Sequence, residues 1–454
     1  MEKIKSASVV GLGKLGASMA ACFAKSGIKT VGVDINPRSV EAINSGLSPV
    51  SETDLALYIS KYTNNLTATV DYEDAILQTD ATFVIVPTPS EDHGGFSLKY
   101  AKEAFKRIGK ALRKKNCFHL IVMTSTVLPG GTELSLLPIL EKASGKECGR
   151  HFGLCYSPEF IALGSVIRDF LAPDFVLIGE HDNRSGQMLE EFYLNVCENN
   201  PPFARMNIAN AELTKMSINS FMTMKISFAN MISGICENIP NGDVDKVTKA
   251  IGMFGGAGKS MTGGLGYGGP CLPRDNLALS FLAAKVGMET VLPAEIDKFN
   301  RSIPDRLADK VCEYVAPNET VCILGLSYKT GTWVTEESQG ISLASILIQR
   351  KRLVKAFDPL SKDSIMSKLK DSVNYPIDIS EAISNVRMII VTNPDPFFLN
   401  LHEYHEHISE NTLVLDVWRY LPKTELIKRG FNYLSMGQSK DNKKASKILK
   451  AINQ

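Results

Sequence analysis

The chain has 454 residues, 44% hydrophobic and 22% charged, with 50 basic against 49 acidic side chains for a formal charge of +1. That length predicts two or three domains rather than one core, and the balanced charge excludes a protein that works by neutralising nucleic-acid phosphates. Nine scattered cysteines without a CxxC pair, no N-terminal hydrophobic signal core and no long apolar window predict a soluble cytoplasmic protein with reduced thiols, no structural zinc and no membrane span.

In chain order, Ala7 to Val10 reads as a short buried strand that runs into GLGKLG, with Gly11, Gly13, Leu15 and Gly16. A helical pattern of Met19, Ala20, Phe23 and Ala24 follows, then an apolar run ending in VGVD at Asp34. A GxGxxG between strand and helix, with an acidic residue closing the next strand, is a dinucleotide fingerprint. Gly11 permits the tight turn, Gly13 lets a pyrophosphate reach the backbone, and Gly16 lets the helix pack on the sheet. Unpaired amides at the helix N-terminus suit phosphate. Asp34 is expected to accept the adenosine ribose hydroxyls and to repel a 2′-phosphate, which favours NAD over NADP; Arg38 nearby softens that preference.

Further strands are predicted at 81–86, running into PTP (Pro87, Thr88, Pro89), at 119–124, ending in STVLPGGT, and at 175–179. Strands alternating with helical stretches predict a parallel, doubly wound sheet with ligands at the carboxyl ends of its strands. Pro87, Thr88 and Thr126 lie at such ends, and Thr126 is placed to face nicotinamide and substrate.

From Ala211 to about Asn238 the chain has no proline and one glycine, with apolar residues at helical spacing. Lys215 and Asn219 are four apart and share a helix face. Met216, Ile218, Phe221 and Met222 beside them point to a largely buried helix, where the pair would suit a developing oxyanion. A solvated lysine is the alternative. The run GYGGPCLPRD then sets Cys271 in a loop where Gly266, Gly268 and Gly269 let a backbone approach a ligand closely, stiffened by Pro270 and Pro273, with Asp275 four residues on. Taken alone, that segment fits a tight turn around an inert thiol as well as it fits a nucleophile.

The last third repeats the α/β pattern without a full GxGxxG. Strands are predicted at 320–325, 353–358, 388–391 and 412–416, with a glycine turn LSYKTGT and a helix-like stretch from Ile341. A relaxed nucleotide-binding fold of this kind suits a nucleoside diphosphate other than NAD, and Lys329 is placed to meet phosphate or sugar oxygens. The basic cluster from Arg350 to Lys355 reads as a solvated face.

Taken together, GLGKLG, VPTP, STVLPGGT, SPEF at 157–160, AELTKMSINSFMTMKISFAN, GYGGPCLPRD and GLSYKTGT, in this order and over nearly the whole length, resemble the UDP-glucose/GDP-mannose dehydrogenase family. The resemblance implies an α/β protein of two Rossmann-like doubly wound domains joined by a long central helical region. The boundaries are expected at 1–205 for NAD, 206–300 for the helical region with the cysteine loop, and 301–454 for the nucleotide sugar. It implies a homodimer through the central helix and oxidation of a C6 hydroxymethyl to a carboxylate by two NAD+ in succession, UDP-glucose being the favoured sugar. Cys271 would capture the C6 aldehyde as a thiohemiacetal and then a thioester. Glu159 would assist hydrolysis, Thr126 would help position water, Lys215 and Asn219 would stabilise the oxyanion, and Asp275 would orient water and the lysine. Gly11, Gly13, Leu15, Gly16, Asp34, Arg38, Pro87, Thr88 and Thr126 would hold the cofactor; Phe160, Lys215, Asn219, Tyr267, Gly268 and Lys329 would hold substrate.

Two positions depart from the family. Gly256 stands near the place of an arginine in IGMFGGAGKS, with Lys259 a candidate replacement, and Glu336 stands near the place of a second arginine after GLSYKTGT. The rival readings are a two-electron hydroxyacid dehydrogenase, which needs neither a cysteine loop nor a second nucleotide domain, and a silent NAD or nucleotide-sugar sensor, which would have lost the catalytic set.

Overall fold

The computed structural model describes residues 3–253, 261–409 and 412–439. Gly256 and Lys259 lie outside the described residues. The chain forms two compact units, Met1–Ser217 and Ile218–Gln454, and the division falls inside a single helix, Ile208–Cys236.

The first unit is built on eight strands: β1 (Ser6–Val10), β2 (Lys29–Val33), β3 (Leu66–Thr69), β4 (Ala81–Val84), β5 (Leu120–Met123), β6 (Gly153–Tyr156), β7 (Val176–Glu180) and β8 (Phe203–Asn207). Their order is β3-β2-β1-β4-β5-β6-β7-β8. The central strands are continuous apolar runs because helices cover both faces of the sheet. On one face Phe23, Phe83, Phe170, Phe192 and Tyr193 pack together, with Phe23 and Phe83 ring centroids 4.8 Å apart. On the other, Phe105, Ile108, Leu112, Met123 and Tyr156 form a second core. The sheet is not wholly parallel as the alternation predicted. β6 and β7 pair antiparallel over two residues, Cys155 opposite Glu180 and Tyr156 opposite Gly179. The connection between them carries SPEF and a single six-residue helix, Val166–Leu171, and returns the chain without the crossover that a parallel pair requires.

The second unit holds the rest of the central helix, the helices Val244–Gly252, Leu272–Lys285 and Leu292–Cys312, and a parallel five-stranded sheet. Its strands are β9 (Thr320–Leu324), β10 (Leu353–Phe357), β11 (Met388–Val391), β12 (Leu413–Asp416) and β13 (Asn432–Ser435), in the order β10-β9-β11-β12-β13. Numbered within the unit this is 2-1-3-4-5, so the chain reverses direction across the sheet between β9 and β11, where open α/β sheets bind ligands. Among the described residues no helix is long and apolar enough to cross a membrane.

Candidate active site

In the first unit the glycine turn leaves β1 and enters the helix Lys14–Lys25 with no side-chain cap on its first amides. Gly11 adopts φ +99° and its N–H donates to Val33 O at 2.7 Å; a Cβ there would collide with the Ile85 carbonyl. A Cβ on Gly16 would collide with the Gly11 carbonyl. The protein's own backbone therefore requires both glycines. Gly13 differs, because a Cβ on it would meet nothing within 4 Å. The space above it, beside uncapped amides, is a cradle that fits a phosphate. Leu15 is half-buried and packs against the core that holds Phe23 and Phe83.

Asp34 closes β2 with two backbone bonds, Leu12 N–H to Oδ2 at 2.7 Å and Asn36 N–H to Oδ1 at 2.8 Å. A carboxylate has about four acceptor positions, so two remain for ribose hydroxyls. Asp358, in the equivalent place after β10, contrasts with it. It accepts from Leu326 and Ser327 N–H at 2.8 and 2.9 Å and from Leu360 and Ser361 N–H at 3.0 Å each. Asp358, in the other sheet, is saturated by its own chain, whereas Asp34 keeps acceptor positions open. Arg38 is exposed at the start of the helix Pro37–Asn44.

The turns after β4 and β5 are stitched together. Thr88 Oγ1 donates to Thr126 O at 2.8 Å and Ser125 Oγ donates to Val86 O at 2.6 Å, which places Pro87, Thr88 and Thr126 side by side at the carboxyl ends of the strands. Glu212, which the sequence reading did not single out, holds the far side of the second turn. Its fully buried carboxylate accepts Gly130 N–H at 2.6 Å and Thr132 N–H at 2.8 Å. Burial pushes its pKa up to about 7 against these donors.

One turn along the same helix, Lys215 is buried beside Met216, whereas Ile218 and Met222 are half-buried and Phe221, expected on a buried helix, is exposed. Lys215 Nζ donates to Glu159 O at 2.5 Å and sits 4.3 Å from the centroid of the Phe160 ring. The first unit thus gathers Lys215, Glu159 and Phe160. Desolvation pushes the Glu159 carboxyl up to about 7, opposed by a hydrogen bond from Tyr193 and by the Lys215 charge. A carboxyl poised there can act as base or acid near neutrality.

The second unit gathers the other group. Cys271 is exposed and stands at the N-cap position of the helix Leu272–Lys285. Asp275 N–H donates to Cys271 O at 2.9 Å. The Asp275 carboxylate is buried and accepts from Asn219 Nδ2 at 2.5 Å and Arg274 Nε at 3.4 Å.

The loop before the cysteine differs from expectation in one respect. Gly266, Gly268 and Gly269 are expected to admit close approach by a ligand, whereas the space over them is filled by the protein itself: Asn300 Oδ1 over Gly266, the Glu337 carbonyl over Gly268, and the Tyr328 ring over Gly269, which has φ +82°. Tyr267 is buried. Its backbone exchanges hydrogen bonds with Asn300 at 2.8 and 2.9 Å, and its hydroxyl meets Asp297 at 3.4 Å and Asn276 at 3.3 Å. Asn230, Asn276, Asn300 and Gln339 therefore fix the loop, and only their polarity within otherwise apolar helices marks them in the sequence. Lys329 is half-buried just beyond β9, and Glu336 is exposed. Among the described residues no cluster of three or more His, Cys, Asp or Glu is arranged to hold a metal.

Residues 5–197, 209–302 and 322–423 match, respectively, the NAD binding, central and UDP binding domains of the UDP-glucose/GDP-mannose dehydrogenase family. The chain belongs to that family. A UDP-glucose 6-dehydrogenase of Haloferax volcanii is 34% identical over 94% of this chain and 99% of its own length. A GDP-mannose 6-dehydrogenase of Pseudomonas syringae is 35% identical over 87% of this chain and 92% of its own. The structure of a UDP-glucose dehydrogenase from Pyrobaculum islandicum superposes with a TM-score of 0.82 at 30% identity, covering 95% and 97% of the two chains. As a UDP-glucose/GDP-mannose dehydrogenase family member, the protein is an NAD-dependent oxidoreductase, and the fingerprint around Gly13 and Asp34 lies within the matched NAD binding domain.

Proposed function

We propose that the protein oxidises the C6 hydroxymethyl of a nucleotide sugar to a carboxylate in two successive two-electron steps, with UDP-glucose the favoured substrate. One observation carries the reading: an exposed Cys271 stands at the N-cap position of a helix, one turn before a buried Asp275 held by Asn219. Relatives named for UDP-glucose support that sugar and the match to a UDP binding domain supports that nucleotide; GDP-mannose, for which another relative is named, and N-acetylated UDP-hexosamines are the alternative substrates. Bound NAD, held by Gly11, Gly13, Leu15, Gly16, Asp34, Arg38, Pro87, Thr88 and Thr126, supplies the acceptor for the electron pair removed in each oxidation.

The residues of the chain do the rest. Removing one pair from the alcohol leaves the C6 aldehyde, and the Cys271 sulfur adds to its carbonyl to form a thiohemiacetal. This keeps the reactive intermediate bound between the oxidations. Lys215 and Asn219 stabilise the oxyanion. Removing the second pair leaves a thioester, which water cleaves to the carboxylate and free thiol. Glu159 takes the proton from that water, with Thr126 and Asp275 helping to orient it. Phe160, Tyr267, Gly268 and Lys329 belong to the proposed sugar-nucleotide site, and Glu336, carrying the opposite charge to the family's arginine, bears on which sugar is accepted. Full conversion of a limiting amount of UDP-glucose is expected to yield two NADH per sugar, read from absorbance against product acid. A ratio of one would remove the covalent second oxidation and leave an ordinary alcohol dehydrogenase.

The same reading includes a homodimer through the central helix. Phe221, Phe228, Met231 and Ile235 are exposed along it at spacings of seven, three and four, the seam of a helix that packs on another helix. Changing Phe221 and Phe228 together to glutamate is expected to convert a dimer to a monomer in analytical ultracentrifugation. A wild-type mass already monomeric, or a dimer untouched by the change, would refute this interface.

A further inference from the structure

Glu159 is reached by a chain of hydrogen bonds from a segment that no motif marks. Tyr193, on the helix Asn183–Val196, places its hydroxyl 3.1 Å from Glu159 Oε1. Ser157 Oγ lies 3.2 Å from that hydroxyl and 3.0 Å from Leu177 O. The directions are fixed by chemistry. An ionised carboxylate and a carbonyl only accept, so Tyr193 gives its one proton to Glu159, and Ser157 shares its one proton between Leu177 O and the Tyr193 oxygen. Burial raises the Tyr193 pKa well above its ordinary value, so the phenol stays a donor throughout the working range. Its ring is clamped by Phe83, Phe170 and Phe192, with centroids 6.4, 6.3 and 6.0 Å away.

We propose that Tyr193 is a positioning residue for the hydrolytic step: held by Ser157 and its aromatic neighbours, it fixes Glu159 Oε1 and so sets the orientation of the carboxylate that takes the proton from water. The proposal rests on the reading of Glu159 as that base. The charged and titratable groups around Glu159 are Lys215 on the central helix, Tyr193 and Cys197 at the helix Asn183–Val196, and Cys22 on the helix Lys14–Lys25. Burial raises the pKa of both thiols, so around neutrality the groups that favour the carboxylate are Lys215 and the Tyr193 donor. A hydrogen bond made to the charged form lowers a carboxyl's pKa, and losing it raises that pKa. The base form exists above the pKa, so losing the bond moves the acid limb of activity to higher pH.

The test is Tyr193→Phe, which keeps the ring in its clamp and removes only the hydroxyl. The readout is the pH dependence of the decay of the Cys271 thioester, followed by intact mass in a single turnover. The acid-side midpoint is expected near 7 in the wild type and about one unit higher in Y193F, with the rate on the alkaline plateau nearly restored and the Kd for NAD unchanged. A uniformly slowed decay with an unmoved midpoint would show a merely structural role and overturn the proposal. Glu159→Gln separates the two layers. It should hold the thioester at every pH; if instead E159Q hydrolyses it with the wild-type profile, the base assignment falls. If E159Q blocks decay while Y193F leaves the midpoint in place, the role given to Tyr193 falls alone.

Discussion

Cys271→Ser is expected to lower acid formation by about 10³-fold or more, the order of effect seen when a covalent nucleophile is removed, while leaving the affinity for NAD unchanged. The hydroxyl fits the space of the thiol, and the site is exposed at the first turn of its helix, so no core is disturbed. What changes is the nucleophile: near neutrality a serine without an adjacent base stays protonated and adds poorly to a carbonyl. The NAD residues Gly11, Gly13 and Asp34 belong to the other compact unit, so fluorescence titration with NADH should give the wild-type Kd. The assay is NADH production together with chromatographic measurement of sugar acid. Acid formation within tenfold of the wild type would take the sulfur out of the reaction.

The second large effect separates two glycines that a sequence pattern treats alike. Gly16→Ala would drive a methyl group onto the Gly11 carbonyl, and Gly11 cannot retreat because the Ile85 carbonyl lies against its other side. Overpacking of this kind costs about 1–3 kcal/mol or more, so the melting temperature should fall by roughly 5 °C. Gly13→Ala has open space and should melt like the wild type, yet its methyl group occupies the cradle at the uncapped helix start. Its Kd for NAD should rise by at least about tenfold, equivalent to about 1.4 kcal/mol. Calorimetry and NAD titration of the two variants read the effects independently. An alanine at 13 that binds NAD as tightly as glycine would move the pyrophosphate elsewhere.

Much of this architecture was legible in the residues. Central strands such as Leu120–Met123 and Met388–Val391 are uninterrupted apolar runs, because they are buried on both faces. Three of the four edge strands were not legible, the exception being Leu353–Phe357, whose run ends in the acidic Asp358. Leu66–Thr69, Phe203–Asn207 and Asn432–Ser435 lie at the margins of their sheets and carry polar or half-exposed side chains, so nothing in their pattern separates them from loops. The interior strand Gly153–Tyr156 was missed for another reason, its four residues opening on a glycine. At the candidate site, Lys215 announced its burial through Met216 and Ile218. Tyr193 announced nothing, since one tyrosine in an amphipathic helix looks like core, and its hydroxyl finds Glu159 only after 34 residues of chain have folded back. The room over the glycines before Cys271 is filled by Asn300, Tyr328 and Glu337, which lie 34 to 69 positions beyond the glycines they cover. No local pattern carries that information.

The anchoring of the cysteine loop bears on how such proteins can be recombined. Gly266, Tyr267, Gly268 and Gly269 are moulded to Asn300, Tyr328, Glu337 and Gln339, so the nucleophile travels with the domain that carries β9 to β13. A hybrid spliced between Asp275 and Thr320 would set one parent's loop against another parent's Tyr328 and Glu337, and the mismatch would fall on glycines that tolerate no added atom. Exchange between relatives is cleaner when the crossover lies upstream of the loop. The reactive sulfur and the second nucleotide fold are then inherited as one cassette.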